Sequence, residues 1–145
     1  MNMKNIHLEI VTPERLAYSE DVDALFVPTI NGTIGVLPRH VQLFTALSEG
    51  EIKIQSGTKE IFMAIGGGFM EITQNKVTIL VSRAYHANEL NESEIKKAQQ
   101  AAQDVLARKV KGTELADAQS MLRRSILELK VIRRVRHREV PQIPS

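Results

Sequence analysis

Hydrophobic and polar residues alternate with a period of two over the first part of the chain and follow a helical period over the last part. The alternation is clearest at residues 6–10, 52–54 and 70–72, where every second residue is apolar. Such alternation is typical of β-strands with one buried face. Beyond residue 90, apolar residues recur at steps of three and four, as on one face of an α-helix. The pattern predicts an all-β domain over residues 1–86, followed by an antiparallel two-helix hairpin over residues 87–138.

Turn-forming residues divide the β region into short strands. Glycine, proline, asparagine and serine cluster at seven points between residues 12 and 75, and no helical pattern separates them. Closely spaced turns between alternating segments predict a β-sandwich. Residues 59–65 and 77–81 are mostly apolar at both odd and even positions, so we expect these two strands to lie centrally with both faces covered.

The densest group of turn signals lies in residues 27–51. Pro28, Asn31, Gly32 and Pro38 interrupt short apolar runs there. Glycine allows a positive φ and proline removes a backbone donor, so we expect irregular backbone held between short strands, with polar loop tips at the surface. The pattern is typical of a docking surface.

The two predicted helices have recognisable ends. Asn91 is the predicted N-cap of the first helix, with Glu94 at the third helical position in a variant of the capping box. The first helix is expected to end at Lys111 and Gly112, where glycine can adopt a positive φ. Thr113 is expected to cap the second helix.

The contact between the helices is predicted to be rich in small side chains. The seam of the second helix consists of Leu115, Ala118, Leu122, Ser125, Leu129 and Ile132. Burial of apolar surface stabilises a fold by about 25 cal/mol per Å², and alanine and serine bury little of it. We therefore expect the hairpin to be marginally stable alone and its position to be switchable. From Val135 onward the chain has two prolines and few packing residues, and residues 139–145 are predicted to form a disordered tail.

Composition limits the class of protein. The 145 residues contain no cysteine and are 43% apolar, which allows one domain with an appendage and excludes disulfides and cysteine nucleophiles. No apolar run approaches the roughly 20 residues of a membrane span, and an export signal is not expected. Residues 1–85 carry a net charge of −2 and residues 86–145 carry +4, which supports a boundary between two structural units.

The sequence contains no pattern typical of catalysis or metal binding. The Gly66-Gly67-Gly68 triplet lacks the following helix and the lysine of a phosphate-binding loop, so a tight corner or bulge between strands is favoured. The four histidines lie far apart, without a second ligand at metal-binding spacing, and no nucleophile motif is present. We predict a protein without catalytic, cofactor-binding or metal-binding residues.

The second helix carries many basic residues, and three interpretations are open. A solvated helix face is the ordinary one. An acidic protein surface or a nucleic acid could instead bind this face. Aromatic residues make up 4% of the chain and tryptophan is absent, so base stacking lacks its usual side chains. A β-domain with a nucleic-acid-binding basic helix is therefore the weaker alternative, and we do not expect nucleic acid as a partner.

The pattern V-P-x-x-x-G-x-x-G-[IV]-L-P-x-H-x-x-L-x-T-x-L-x-x-G over residues 27–50 resembles the epsilon subunit of bacterial F-type ATP synthase. The similarity is specific over residues 1–85 and continues as a match of topology through the hairpin. It implies a non-catalytic subunit of the central rotor stalk, peripheral to the cytoplasmic face of the bacterial inner membrane. The β-sandwich is implied to bind the gamma subunit and the membrane c-ring, and the hairpin to fold down or extend along gamma.

The resemblance also implies roles for individual residues. The docking residues it implies are Gly32, Thr33, Gly35, Arg39 and His40. The extended hairpin is implied to restrain ATP hydrolysis, with its basic second helix against an acidic segment of the catalytic beta subunits. The regulatory basic residues it implies are Arg123, Arg124, Lys130, Arg133, Arg134 and Arg136.

Two positions depart from the family pattern. Thr33 lies where several relatives carry an acidic residue, so a hydroxyl hydrogen bond would have to replace a charge contact to the c-ring. The [IL]-D-x-x-R-A motif with which some relatives bind ATP corresponds to residues 90–95, where Asn91 replaces the aspartate and Glu94 replaces the arginine. A glutamate there repels phosphate groups, so we predict weak or absent ATP binding.

Overall fold

The computed structural model describes residues 5–139, with side chains described through residue 136. The strands are β1 (Ile6–Val11), β2 (Leu16–Val22), β3 (Ala24–Thr29), β4 (Gly32–Val36), β5 (Leu43–Leu47), β6 (Gly50–Ser56), β7 (Lys59–Ile65), β8 (Gly68–Thr73), β9 (Lys76–Val81) and β10 (Ala84–His86). A 3₁₀ turn at Ala87–Glu89 precedes helices α1 (Glu92–Ala107) and α2 (Gly112–Glu139). The chain divides into two compact units between His86 and Ala87.

The strands of the first unit form one continuous hydrogen-bonded sheet. Its order is β10-β7-β6-β3-β5-β8-β9-β1-β2, with β4 joined at the side of β3. Neighbouring strands are antiparallel except for β1 and β9, which run parallel. Buried residues from all ten strands meet in a single apolar cluster. This arrangement confirms the predicted all-β fold followed by two packed helices.

The alternation of the sequence corresponds to alternating burial in the strands. In β1, Ile6, Leu8 and Ile10 are buried while the residues between them are half-exposed. Residues of β6 and β8 alternate in the same way. Successive side chains of a strand point to opposite faces of a sheet, so these strands each place one face in the core.

The two strands that we expected to be covered on both faces differ from each other. In β7, residues 62–65 are all buried, as predicted, although the strand lies next to the short edge strand β10 rather than at the centre of the sheet. In β9, Val77, Ile79 and Val81 are buried, but Leu80 is 52% exposed. The prediction for residues 77–81 was therefore wrong, because their apolar outer face is not covered by the strand's own domain.

The glycine triplet forms a close corner between β7 and β8. A Cβ atom on Gly66 would lie 2.0 Å from Oγ of Ser82, and one on Gly68 would lie 1.9 Å from the carbonyl oxygen of Leu80. At Gly68 the backbone of residues 80–81 passes so close that only glycine fits, whereas a Cβ at Gly66 would meet the side chains of Ser82 and Arg83. The structural interpretation of the triplet is confirmed.

Helix α1 begins where the sequence predicted but ends earlier than predicted. The Asn91 side chain accepts a hydrogen bond from the backbone N–H of Glu94 at 3.2 Å, as predicted for an N-cap. The helix ends at Ala107, and Lys109 takes the left-handed conformation with φ 54° that we had expected only of Gly112. Gly112 also has a positive φ, of 67°, but it begins α2, so Thr113 lies inside the helix and is not its cap.

The second helix ends one residue beyond the predicted hairpin bounds. α2 continues to Glu139, which we had predicted to begin the tail. Residues 140–145 lie outside the described residues. Ala118, Ser125 and Leu129 of the predicted seam are buried, while Leu115, Leu122 and Ile132 are half-buried.

Candidate functional site

The first group of predicted docking residues lies at the tip of the β3–β4 hairpin. Ile30 and Asn31 form the two-residue turn, and Gly32 follows with φ 114°. The Thr29 hydroxyl donates to the carbonyl oxygen of Gly32 at 2.6 Å and accepts from the backbone N–H of Asn31 at 3.2 Å. These bonds hold the tip, where Thr33 is exposed and Ile30 is 74% exposed.

Gly35 has a packing role within the same hairpin. It is paired with Phe26 on β3, and a Cβ atom at Gly35 would lie 3.0 Å from Cε1 of the Phe26 ring. The Lys53 ammonium lies 5.3 Å from the centre of that ring, within the range of a cation–π contact. Gly35 therefore makes room for an aromatic side chain on the sheet surface.

Arg39 and His40 form a second group. Arg39 adopts the left-handed conformation, with φ 66°, which is unusual for a residue with a side chain. The backbone N–H of His40 donates to the carbonyl oxygen of Leu37 at 3.1 Å, and its ring Nδ1 donates to the carbonyl oxygen of Val41 at 2.8 Å. The loop is thereby fixed, with Leu37 and Val41 exposed by 58% and 74%.

The structure separates these two groups by the length of β4. Gly32 and Thr33 begin the strand, whereas Arg39 and His40 follow its other end. Four residue steps along a strand span about 13 Å. A partner that contacts both groups must therefore lie along β4, which pairs with β3 and stands outside the main strand order.

A third surface was not predicted from the sequence. The strand registers place Ala46 opposite Phe69, Phe69 opposite Leu80, and Leu80 opposite Val11. Val11 is opposite Leu16 in turn. We call the exposed residues of this row, together with Phe44, the outer apolar band; its exposed large members are Leu16, Phe44, Phe69 and Leu80.

The outer apolar band is a formed surface with an aromatic centre. The rings of Phe44 and Phe69 stack with centroids 5.6 Å apart and an angle of 16° between their planes. They are 65% and 50% exposed. An open apolar groove of about 440 Å³ runs beside Phe69 and Leu80 toward Pro13. Contiguous exposed apolar surface is a common feature of protein interaction sites. The sequence signal for this surface was that β9 is apolar at both odd and even positions. We had interpreted that pattern as a strand covered on both faces by its own domain.

The predicted basic residues of α2 do not form one uniform stripe. Arg123, Lys130 and Arg134 are exposed and are spaced by seven and four residues, which places them on one face of the helix. The Arg124 side chain is half-buried and pairs with Glu128 at 3.5 Å. Arg133 is exposed on a neighbouring face, seven residues after Ile126, which is 52% exposed. Arg136 pairs with Glu92 of α1.

The packing between α1 and α2 depends on small residues. Ala102 and Ala118 are buried, and an open apolar groove of about 460 Å³ remains between the helices. Ala98, Ala101 and Val105 line it from α1, and Met121, which is 42% exposed, lines it from α2. The small side chains around this groove bury little apolar area and so contribute little energy to holding the helices together there, whereas Ile95, Leu129 and Val131 are buried toward the other end of the hairpin.

The segment that corresponds to the family's ATP motif is occupied by internal contacts. The Asn91 side chain caps α1, and the Glu92 carboxylate pairs with Arg136 and with the Lys96 ammonium at 3.2 Å. The hydrogen bond from Arg136, followed by that from Lys96, lowers the pKa of Glu92. Among the described residues there is no cluster of histidine and carboxylate side chains that could hold a metal ion. No helix described in the structure is long and apolar enough to cross a membrane.

The chain is similar to known proteins over nearly its whole length. Residues 5–87 match the family model of the ATP synthase delta/epsilon chain β-sandwich domain. The ATP synthase epsilon chain of Herpetosiphon aurantiacus is 39% identical over 134 residues, covering 92% of this chain and 98% of the relative. That of Dehalococcoides mccartyi is 37% identical over 142 residues, covering 97% and 100%.

Solved structures show the same fold at lower identity. A chain in the mitochondrial ATP synthase structure of Euglena gracilis, which contains OSCP, F1 and the c-ring, matches with a TM-score of 0.66, 20% identity, and coverage of 93% of this chain and 81% of that chain. A chain of the central stalk and c-ring structure from Tetrahymena thermophila matches with a TM-score of 0.57, 15% identity, and coverage of 91% and 99%.

Proposed function

Because this chain belongs to the ATP synthase delta/epsilon family, as a non-catalytic epsilon chain, we propose that it works as a rotor subunit that couples the catalytic head to the c-ring. In this proposal the sandwich joins gamma to the c-ring, and the hairpin restrains ATP hydrolysis. The protein acts at the cytoplasmic face of the bacterial membrane and is attached to it through the complex. The observation that carries the proposal is the outer apolar band on a domain of this family.

The outer apolar band is the proposed contact with gamma. Four exposed large apolar residues on neighbouring strands, two of them stacked phenylalanines, are costly to leave in water. A subunit that stays bound to its partner throughout rotation needs an apolar contact of this kind, since permanent interfaces are more apolar than transient ones.

The two ends of β4 are the proposed contact with the c-ring. Each end combines a fixed turn with an exposed apolar side chain, Ile30 at the tip and Val41 beside His40. Thr33 offers a hydroxyl group where a charge contact is implied for relatives, so this contact depends on hydrogen bonding and apolar area. Substituting Thr33 or His40 with a large charged residue should weaken coupling to proton flow while the isolated protein stays folded; unchanged proton pumping in both variants would remove this assignment.

The exposed basic face of α2 is the proposed contact with an acidic segment of the catalytic beta subunits. Arg123, Lys130 and Arg134 lie on one face and attract an acidic surface over a distance of about one Debye length, roughly 8 Å at physiological salt. Weak packing between the helices allows the hairpin to change its position. Arg124, which is less exposed than these three residues and bonded to Glu128, contributes less.

The test of this function compares ATP hydrolysis by membranes that carry three forms of the protein. The first form is full-length, the second ends after Ala87, and the third carries glutamine at Arg123, Lys130 and Arg134. Truncation should leave the sandwich assembled, because its core lies within residues 6–84, and both altered forms should hydrolyse ATP faster. Arg124→Gln is the matched control and should behave like the full-length form. Equal rates for the truncated and full-length forms at every salt concentration would show that the hairpin does not inhibit.

A further inference from the structure

The ion pair between Glu92 and Arg136 joins the two helices at one end of the hairpin. Glu92 is the first residue of α1, and Arg136 lies 44 positions later, near the end of α2. The helices are connected at their opposite ends, through residues 108–111. The pair therefore closes the hairpin where no chain connection holds it. By contrast, the pairs Lys96–Glu92 and Arg124–Glu128 each lie within one helix.

Packing near the connected end contributes little to keeping the helices together. The open groove of about 460 Å³ lies between residues 98–105 of α1 and residues 114–121 of α2. Its floor consists mainly of alanine, so few apolar contacts would be lost if the helices separated there. Toward the other end, Ile95, Leu129 and Val131 are buried, and a polar contact added there shifts the balance between a closed and an open hairpin.

We propose that Glu92 and Arg136 form a latch that holds the hairpin closed and keeps Arg136 from an acidic partner surface. A guanidinium group bonded to one carboxylate must release it before it can present the same N–H groups to another. In the closed hairpin the Glu92 carboxylate thus binds the Arg136 guanidinium. In the open hairpin a carboxylate of the partner binds it instead. The inference rests on the proposed function for its consequence in the enzyme, while the latch itself is a property of the isolated chain.

The latch is expected to act by small factors, and salt should weaken it. Both side chains are open to solvent, with exposed fractions of 60% for Arg136 and 29% for Glu92. Exposed ion pairs of this kind change an equilibrium by roughly 1.5- to 5-fold. Because Lys96 also bonds Glu92, the carboxylate is held in place between two cations.

The experiment measures the separation of the helices in the full-length protein. The chain contains no cysteine, so spin labels attached to cysteines introduced at Ser93 and Ile126, both exposed, report one distance distribution. Glu92→Gln and Arg136→Gln should each raise the open fraction about 1.5- to 5-fold. The double variant should match the single variants, since either one removes the same bond. High salt should open the parent protein and leave the variants unchanged.

Glu94→Gln is the matched control. Glu94 is also exposed and in the first turn of α1, so it shares the favourable interaction with the helix N-terminus but not the bond to Arg136. If Glu92→Gln opens the hairpin no more than Glu94→Gln does, or if the two latch variants are additive, there is no latch. A second measurement, ATP hydrolysis by the reassembled enzyme, should fall with Glu92→Gln. If the hairpin opens and hydrolysis does not fall, the latch stands and the proposed inhibition fails.

Discussion

Substituting Phe69 with alanine should weaken binding to the gamma-containing head of the enzyme. Phe69 lies at the centre of the outer apolar band, stacked on Phe44 and opposite Leu80. A phenylalanine side chain buries about 200 Å² when fully covered, and Phe69 is 50% exposed. A partner can therefore cover about 100 Å² more, which corresponds to about 2.5 kcal/mol at 25 cal/mol per Å².

The expected loss of affinity follows from this area. Complete covering of the exposed half of the ring corresponds to about a 60-fold change in Kd, and half covering to about 8-fold. The already covered half of the ring contributes to the fold, so the variant should also lose about 1–2 kcal/mol of folding free energy. Binding is therefore measured well below its melting temperature.

Titration calorimetry against a head complex that lacks this subunit measures the effect. Ile30→Ala is the matched control, because Ile30 is 74% exposed but lies at the hairpin tip and outside the outer apolar band. The control should bind as the parent protein does. If Phe69→Ala binds no more weakly than Ile30→Ala, the outer apolar band is not the contact with gamma.

Two further predictions concern the sandwich itself. Gly68→Ala should lower the free energy of unfolding by at least about 2 kcal/mol, because its Cβ would lie 1.9 Å from the Leu80 carbonyl oxygen. A Cβ at Gly67 would have its nearest atom at 3.5 Å, so Gly67→Ala should lower it by less than about 1 kcal/mol. Equal losses for the two variants in denaturant titrations would contradict this. The hydrogen bond to Asp21 at 2.8 Å, aided by a weaker one to Glu9, raises the pKa of His7 above 6.5. Its stabilisation should be complete below pH 6.5 and be lost as the pH rises through the raised pKa, and His7→Gln should remove this decline from unfolding measurements.

The sequence was sufficient where a feature depends on neighbouring residues. Alternation predicted the buried face of β1, and an asparagine before a helical pattern predicted the cap of α1, because both are local effects. The end of α1 was misplaced, because Lys109 takes a conformation that glycine favours. Gly112 does adopt the positive φ that we expected, but it lies at the start of α2 and not at the end of α1.

The sequence was insufficient where a feature depends on distant residues or on a partner. The sequence pattern around an apolar residue such as Leu80 is the same whether its own domain or another subunit covers the side chain. Recognising the outer apolar band therefore required the strand registers. The pair of Glu92 and Arg136 joins residues 44 positions apart, and the resemblance placed Arg136 among the regulatory basic residues without showing this contact. The resemblance implied a single set of docking residues, although β4 holds Gly32 and Arg39 a strand's length apart.

Proton pumping driven by ATP shows directly whether this protein couples the catalytic head to the c-ring. Membranes that carry the ATP synthase without this subunit are supplied with the purified full-length protein, and acidification of the vesicles is followed with a pH-sensitive dye alongside ATP hydrolysis. The added protein is expected to restore proton pumping for each ATP hydrolysed, and Phe69→Ala is expected to require a higher concentration to do so. Pumping that is the same with and without the protein would contradict a role in coupling the catalytic head to the c-ring.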